Sequence, residues 1–262
     1  VFKYLLIFVF SLSLNQSVRA QDTSNFASKN LVFRNALLVG VNYSRQRPLG
    51  ILANRFGDNN SVGFTLTYKF SRNIQIQGSI NTLFGSIVNE NTVFDTMIGN
   101  GGYLLDVNGN YAEVKMYERG YNWHVDIGKI FPLGKFDRNS GLLVSVGAGF
   151  LQHKIKYTFQ RNVLPQLEGN YANGYDRLSN GLMLRGFVGY QRIAENKMFN
   201  FIAGLEFLNG RTKSRRAFDY DTRRSDKQSR IDNLLGLKLG IMINIGDRQT
   251  GTEKGEEERF FD

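Results

Sequence analysis

The chain has no cysteine, which excludes a disulfide framework, a thiolate metal site, a cysteine nucleophile and a lipid-modified N-terminal cysteine. It has only two histidines among 262 residues, too few for most imidazole metal cages. No Gly-x-Ser-x-Gly elbow, His-Glu-x-x-His pair or phosphate-binding glycine loop is present. Beyond residue 20 no apolar run approaches the ~20 residues of a membrane-spanning helix. What is present is 28 glycines, 13% aromatic residues, 42% apolar residues and a formal charge of +10 from 33 Lys+Arg against 23 Asp+Glu. That charge suits nucleic acid, anionic lipid or an acidic partner and selects none of them.

Residues 1–20 read as an export signal. Lys3 gives a positive start, Tyr4 to Leu14 is an apolar stretch, and Val18-Arg19-Ala20 ends it with small residues at the cleavage positions. A run this short does not cross a ~30 Å hydrocarbon core as a helix. The expected layout is a signal peptide at 1–20, an N-terminal periplasmic segment at 21–34, a barrel at 35–246 and an acidic tail at 247–262.

The barrel is expected because the mature chain alternates with period 2. In Ser61 to Phe70, Val62, Phe64, Leu66, Tyr68 and Phe70 share one face, opposite Ser61, Gly63, Thr65, Thr67 and Lys69. The same rule holds at 35–46, 74–86, 117–130, 142–153, 182–191, 199–207 and 235–245, eight strands in all. Links after the second, fourth and sixth strands are short (71–73, 133–140, 194–197), and the others are long. Short turns at one end and long loops at the other are the layout of an outer-membrane barrel. A soluble sandwich would hide its apolar set, yet Gly147, Gly149, Gly189, Gly204, Gly236 and Gly240 all fall on the polar face, as a crowded eight-stranded lumen requires. The expected fold is an all-β, eight-stranded, antiparallel up-and-down transmembrane barrel.

The last strand, Lys238-Leu-Gly240-Ile-Met-Ile243-Asn-Ile245, is similar to the assembly signal of bacterial outer-membrane proteins, polar-x-Gly-x-x-apolar-x-apolar. The resemblance implies that Lys238, Gly240, Ile243 and Ile245 are read by the barrel-insertion machinery. Many members of that family end on an aromatic residue here, whereas this chain continues. The layout resembles the small OmpA/OmpX-type barrels over nearly the whole mature chain. Loop text such as Gly174-Tyr-Asp-Arg-Leu-Ser-Asn-Gly181 is also similar to uncharacterised Bacteroidota barrels, a likeness that names no function.

The inward face carries Lys69, Glu118, His124, Asp126, Arg185, Glu206 and Lys238, the expected lumen ion network. If the turn at 194–197 closes directly, Arg185 and Glu206 lie opposite one another, with Lys238 in reach of the same carboxylate. Such a network is either a plug or a salt-bridge-gated path for ions or protons, and the little room inside such a barrel favours the plug. A lipid-modifying enzyme is the third reading, but it needs a nucleophile and base within reach. His153 has no serine two residues away, and Ser145 near His124 would be buried from a lipid ester. Asp106-Val-Asn-Gly-Asn110 lacks the spacing and final Glu of a calcium loop, so it reads as a tight turn. No catalytic residue, cofactor or metal is expected.

Three exposed segments are candidates for contact. The loop 211–230 is basic, and Arg211, Lys213, Arg215, Arg216, Arg223 and Arg224 are the candidate lipopolysaccharide-binding residues. Its alternative is a solvated loop tied down by its own Asp219, Asp221 and Asp226. The compartment argues against nucleic acid. The loop 89–110 offers Phe94, Met97, Ile98, Tyr103 and Leu104 either as a cap on the barrel mouth or as contacts for a protein partner in the envelope. Phe260 and Phe261 in the tail are a candidate docking peptide on the periplasmic side. The expected function is a non-enzymatic outer-membrane scaffold or accessory subunit touching lipopolysaccharide or a partner.

Overall fold

The computed structural model describes residues 35–95, 97–98, 103–133, 138–159, 164–194 and 200–246. The export signal, the 21–34 segment and the tail with Phe260 and Phe261 lie outside the described residues. Eight antiparallel strands are formed among them: β1 (Ala36–Leu49), β2 (Asn59–Lys69), β3 (Ile74–Gly85), β4 (Val114–Pro132), β5 (Gly141–Phe159), β6 (Ser179–Arg192), β7 (Asn200–Ser214) and β8 (Ser229–Gly246). Each pairs with its sequence neighbour, and β1 pairs with β8, so the sheet closes on itself. The long links are 50–58 (L1), 86–113 (L2), 160–178 (L3) and 215–228 (L4), all at one end.

The alternation sorts inside from outside as read from sequence. Outward positions are apolar and bare, with Phe64 71% and Ile243 64% exposed, while Asn42, Thr67, Gln75 and Asn122 are buried inside. An apolar wall of this extent has no place in water. A closed barrel also satisfies its strand backbone internally, as a bilayer demands. Leu235 to Ile245 run roughly 34 Å along β8 at ~3.4 Å per residue, which at a tilt of about 40° rises about 26 Å, the height of a membrane band. Tyr43, Tyr121 and Trp123 mark its long-loop edge and Tyr68, Phe70, Tyr190 and Phe201 its short-turn edge, with ring exposures between buried and bare. No helix among the described residues is long and apolar enough to cross a membrane.

Three differences from the sequence reading have physical causes. β4, β5, β7 and β8 extend beyond 117–130, 142–153, 199–207 and 235–245 at the long-loop end, where strand residues leave the lipid and need no apolar face. Arg211 and Lys213 therefore belong to strand β7 rather than to a loop. The link between β6 and β7 is longer than a direct turn, which shifts their register by two: Arg185 faces Leu208 and Glu206 faces Phe187.

Candidate functional site

The lumen is layered. Its middle layer is ionic and rests on β4, β6, β7 and β8. Arg185 Nη1 donates to Asp126 Oδ2 at 3.1 Å, while Nε and Nη2 both donate to Glu206 Oε2 at 3.3 and 3.1 Å. The guanidinium reaches Glu206 diagonally, a span long side chains bridge across adjacent strands. Lys238 Nζ lies 3.8 Å from the same oxygen. Gln46 Nε2 on β1 donates to the other carboxylate oxygen of Glu206 at 2.9 Å. His124 Nδ1 donates to Asp126 Oδ2 at 2.8 Å, which leaves Nε2 to face Asn81 Nδ2 at 3.4 Å. Cations and carboxylates thus alternate, and no charge of the cluster is left unpaired.

The other residues of the expected network stand elsewhere. Glu118 is six residues from His124 on β4, roughly 20 Å along the strand, and accepts from Asn59 Nδ2 at 2.9 Å. Lys69 reaches Asn139 Oδ1 at 2.9 Å near the short turns. Near Glu118, His153 Nε2 donates to Asp232 Oδ2 at 2.8 Å, and Thr212 Oγ1 donates to that oxygen as well. Sequence reasoning missed Asp232 and Thr212 because both lie in polar strand extensions.

Apolar layers close both ends, which the polar-face reading did not anticipate. Toward the short turns Leu38, Ile130, Leu143, Phe187, Ile193, Ile202 and Met242 form one cluster. The Phe187 ring lies across Gly189 and Gly204, where an added Cβ would meet its Cζ at 2.7 and 2.8 Å, so this crossing has room for glycine only. Toward the long loops Leu83, Leu151, Met183, Leu208 and Leu234 meet Val93 and Phe94 of L2, Leu164 and Leu167 of L3 and Leu52 and Phe56 of L1. Of the L2 candidates, Phe94 is buried beside Val93, and Met97 and Leu104 pack partly buried against this cluster. Phe94, Met97 and Leu104 are thereby taken up in capping the mouth, and Ile98 and Tyr103 stay exposed. Asp106 Oδ1 accepts from the backbone N–H of Asn108 and Asn110 at 2.9 and 2.8 Å, the tight turn read from sequence.

Ion pairs latch the loops together above this cap. Arg177 of L3 pairs with Glu90 of L2 at 2.8 Å and with Asp219 of L4 at 2.7 Å, and its remaining nitrogen pairs with Asp221. Glu90 also takes Arg55 of L1 at 2.7 Å, so one carboxylate and one guanidinium join all four loops. Burial by itself would lower the Arg177 guanidinium, but Glu90, Asp219 and Asp221 outweigh it and raise it. The carboxylates of Asp219 and Asp221 are spent on this neighbouring loop, and Asp226 pairs with Arg230 at the start of β8. That corrects the picture of L4 as a loop held by its own acids. Of the basic candidates, Arg216 pairs with Asp176 and Arg215 bonds Asn180. Arg211, Lys213, Arg223 and Arg224 are exposed.

Burial is the main reason the Asp219 carboxyl sits above its ordinary range, with Arg177 offsetting part of that rise. A carboxyl raised by folding contributes stability below its unfolded pKa and loses it as pH rises through the folded value. At pH 7 Asp219→Asn is therefore expected to change the stability read from loop proteolysis or thermal unfolding by less than about 1 kcal/mol. A larger loss would show that the Asp219 charge holds the cap.

Ser145 faces Gly128 whereas His124 faces Gly149; Ser79 stands opposite His124 on β3, but its hydroxyl bonds Thr65 Oγ1 at 3.1 Å and Gln77 Nε2 at 3.2 Å. At His153 the hydroxyl of Thr212 bonds the carboxylate instead of the imidazole, which is the wrong order for activating a nucleophile. No cluster of potential metal ligands occurs among the described residues.

Fold and lumen together define an eight-stranded membrane-spanning barrel with the layout of the small outer-membrane barrels. Among solved structures the chain is similar to Neisserial surface protein A, at 11% identity and TM-score 0.37, over 80% of this chain and 97% of that one. It is also similar to Ail of Yersinia pestis, solved with the heparin analogue sucrose octasulfate, at 12% identity and TM-score 0.35, over 80% and 98% of the two chains. The N-terminal barrel domain of Pseudomonas aeruginosa OprF matches at 12% identity and TM-score 0.35, over 80% and 100%. No family model and no curated protein matches the chain.

Proposed function

We propose that this chain is a non-enzymatic, non-conducting barrel of the bacterial outer membrane that acts as a surface scaffold or accessory subunit. Its short turns, N-terminal segment and tail would face the periplasm, and its latched loops would face outward. The observation that carries this reading is the layered lumen, in which an ionic cluster lies between two apolar clusters, with L1, L2 and L3 packed into the outer one. The exposed L2 side chains Ile98, Tyr103, Leu105, Val107 and Tyr111 are the surface offered to a partner, with Tyr103 and Tyr111 in edge contact at 4.8 Å. Lys238, Gly240, Ile243 and Ile245 would carry the insertion signal. Lys238 and Gly240 point inward, and Ile243 and Ile245 point to lipid.

The refolded chain in planar bilayers is expected to give no unitary current. Discrete openings altered by Glu206→Gln would overturn the scaffold reading and install the gated channel. That alternative draws on the lumen amides of Gln75 and Gln191, which are buried without hydrogen-bond partners.

A further inference from the structure

We propose that the outer wall of β5, β6 and β7 binds one phosphorylated glycolipid, the lipid A portion of a lipopolysaccharide, with an acyl chain in a wall groove and a phosphate on Arg211. This rests on the outward placement of the long loops proposed above. Among the outer-face rows, Trp123, Phe150, Leu182 and Arg211 align across β4 to β7, and Val125, Ala148, Leu184 and Asn209 align one row nearer the short turns. The single methyl of Ala148 among bulkier neighbours leaves a groove of about 530 Å3, walled by Trp123, Leu182 and Leu184 and ending at Asn209 and Arg211. Leu182 is 77% exposed beside it.

The next row toward the loops changes chemistry. Tyr121 OH and Asn180 Nδ2 both donate to Gln152 Oε1, at 3.4 and 3.1 Å, and Arg215 Nε donates to Asn180 Oδ1. Lys213 stands in the same row, opposite Asn180. Arg177, Arg216 and Arg230 are each neutralised by carboxylates. Arg211 and Lys213 have no ion pair among the described residues and project from the wall at the upper edge of the apolar band. A fluid hydrocarbon chain needs no guanidinium, whereas a guanidinium beside an apolar groove suits a phosphate on an acylated headgroup. The amide and phenol row above it suits the hydroxyls of a sugar, and this favours a glycolipid over a simple glycerophospholipid.

The test uses the full chain in phosphatidylcholine nanodiscs, with retention of lipid A or phosphatidylglycerol read by native mass spectrometry. The wild type is expected to hold one lipid A and to prefer it to phosphatidylglycerol. Arg211→Gln with Lys213→Gln is expected to weaken lipid A retention at least roughly ten-fold, the loss of a charge-assisted contact. Ala148→Phe, which fills the groove, is expected to do the same with phosphatidylcholine contact unchanged. Equal retention of phosphatidylglycerol, or lipid A retention unchanged in the glutamine variant, overturns the proposal. The two glutamines face outward and leave the lumen intact, so that arm stands even if Ala148→Phe fails to refold. A barrel that conducts yet keeps its lipid A would sink the scaffold reading alone. A silent barrel without lipid A would sink this one alone.

Discussion

Replacing Arg185 with methionine is expected to destabilise the barrel by about 3–5 kcal/mol, because it leaves buried carboxylates without their cation. Arg185 is the residue that touches both Asp126 and Glu206, and all three side chains are almost fully buried. Glu206→Gln is expected to cost a similar amount by stranding Arg185 and Lys238, which both lie against it. The informative result is the pair. Arg185→Met with Glu206→Gln removes one charge of each sign and leaves Lys238 near Asp126, so its cost is expected to fall well short of the sum. Urea unfolding of the refolded chain in lipid vesicles measures all three. Additive losses would mean that the two side chains contribute independently and that the ionic layer is not a unit.

The second large effect is expected at Arg177. Arg177→Gln leaves Glu90, Asp219 and Asp221 facing each other in a buried site, an uncompensated arrangement worth about 3–5 kcal/mol. The loss should be local, because the strands below keep their ladders and the ionic layer is untouched. The expected reading is fast proteolysis within L3 and L4 while the membrane-embedded strands stay protected. Loops that remain resistant would show that the apolar contacts of Leu164, Leu167 and Phe94 hold the cap without the latch.

How much of this was legible in the sequence depends on how local each signal is. Alternation is a property of neighbouring residues, and it placed Lys69, Glu118, His124, Asp126, Arg185, Glu206 and Lys238 on the inner face, where all are buried. Register is set by the length of the link and not by the pattern, so the pairing of Glu206 with Phe187 could not be read from the alternation. The apolar end layers were missed because Leu143, Met183, Leu208 and Leu234 sit on a face that is polar for most of its length. The latch was missed for a different reason. Arg177 and Glu90 are 87 residues apart and meet only when the ring has closed.

One contact described above bears on the order in which the molecule is made. Gln46 belongs to the first strand and Glu206 to the seventh, yet they bond through the lumen, passing behind β8. The seam between β1 and β8 is the last pairing that chain order allows, and this amide spans it from within. A half-inserted sheet, open at that seam, has neither the staple nor the loop latch. Both therefore act after insertion, as catches that slow reopening instead of guiding closure. Their loss should raise the rate of unfolding far more than it lowers the rate of folding.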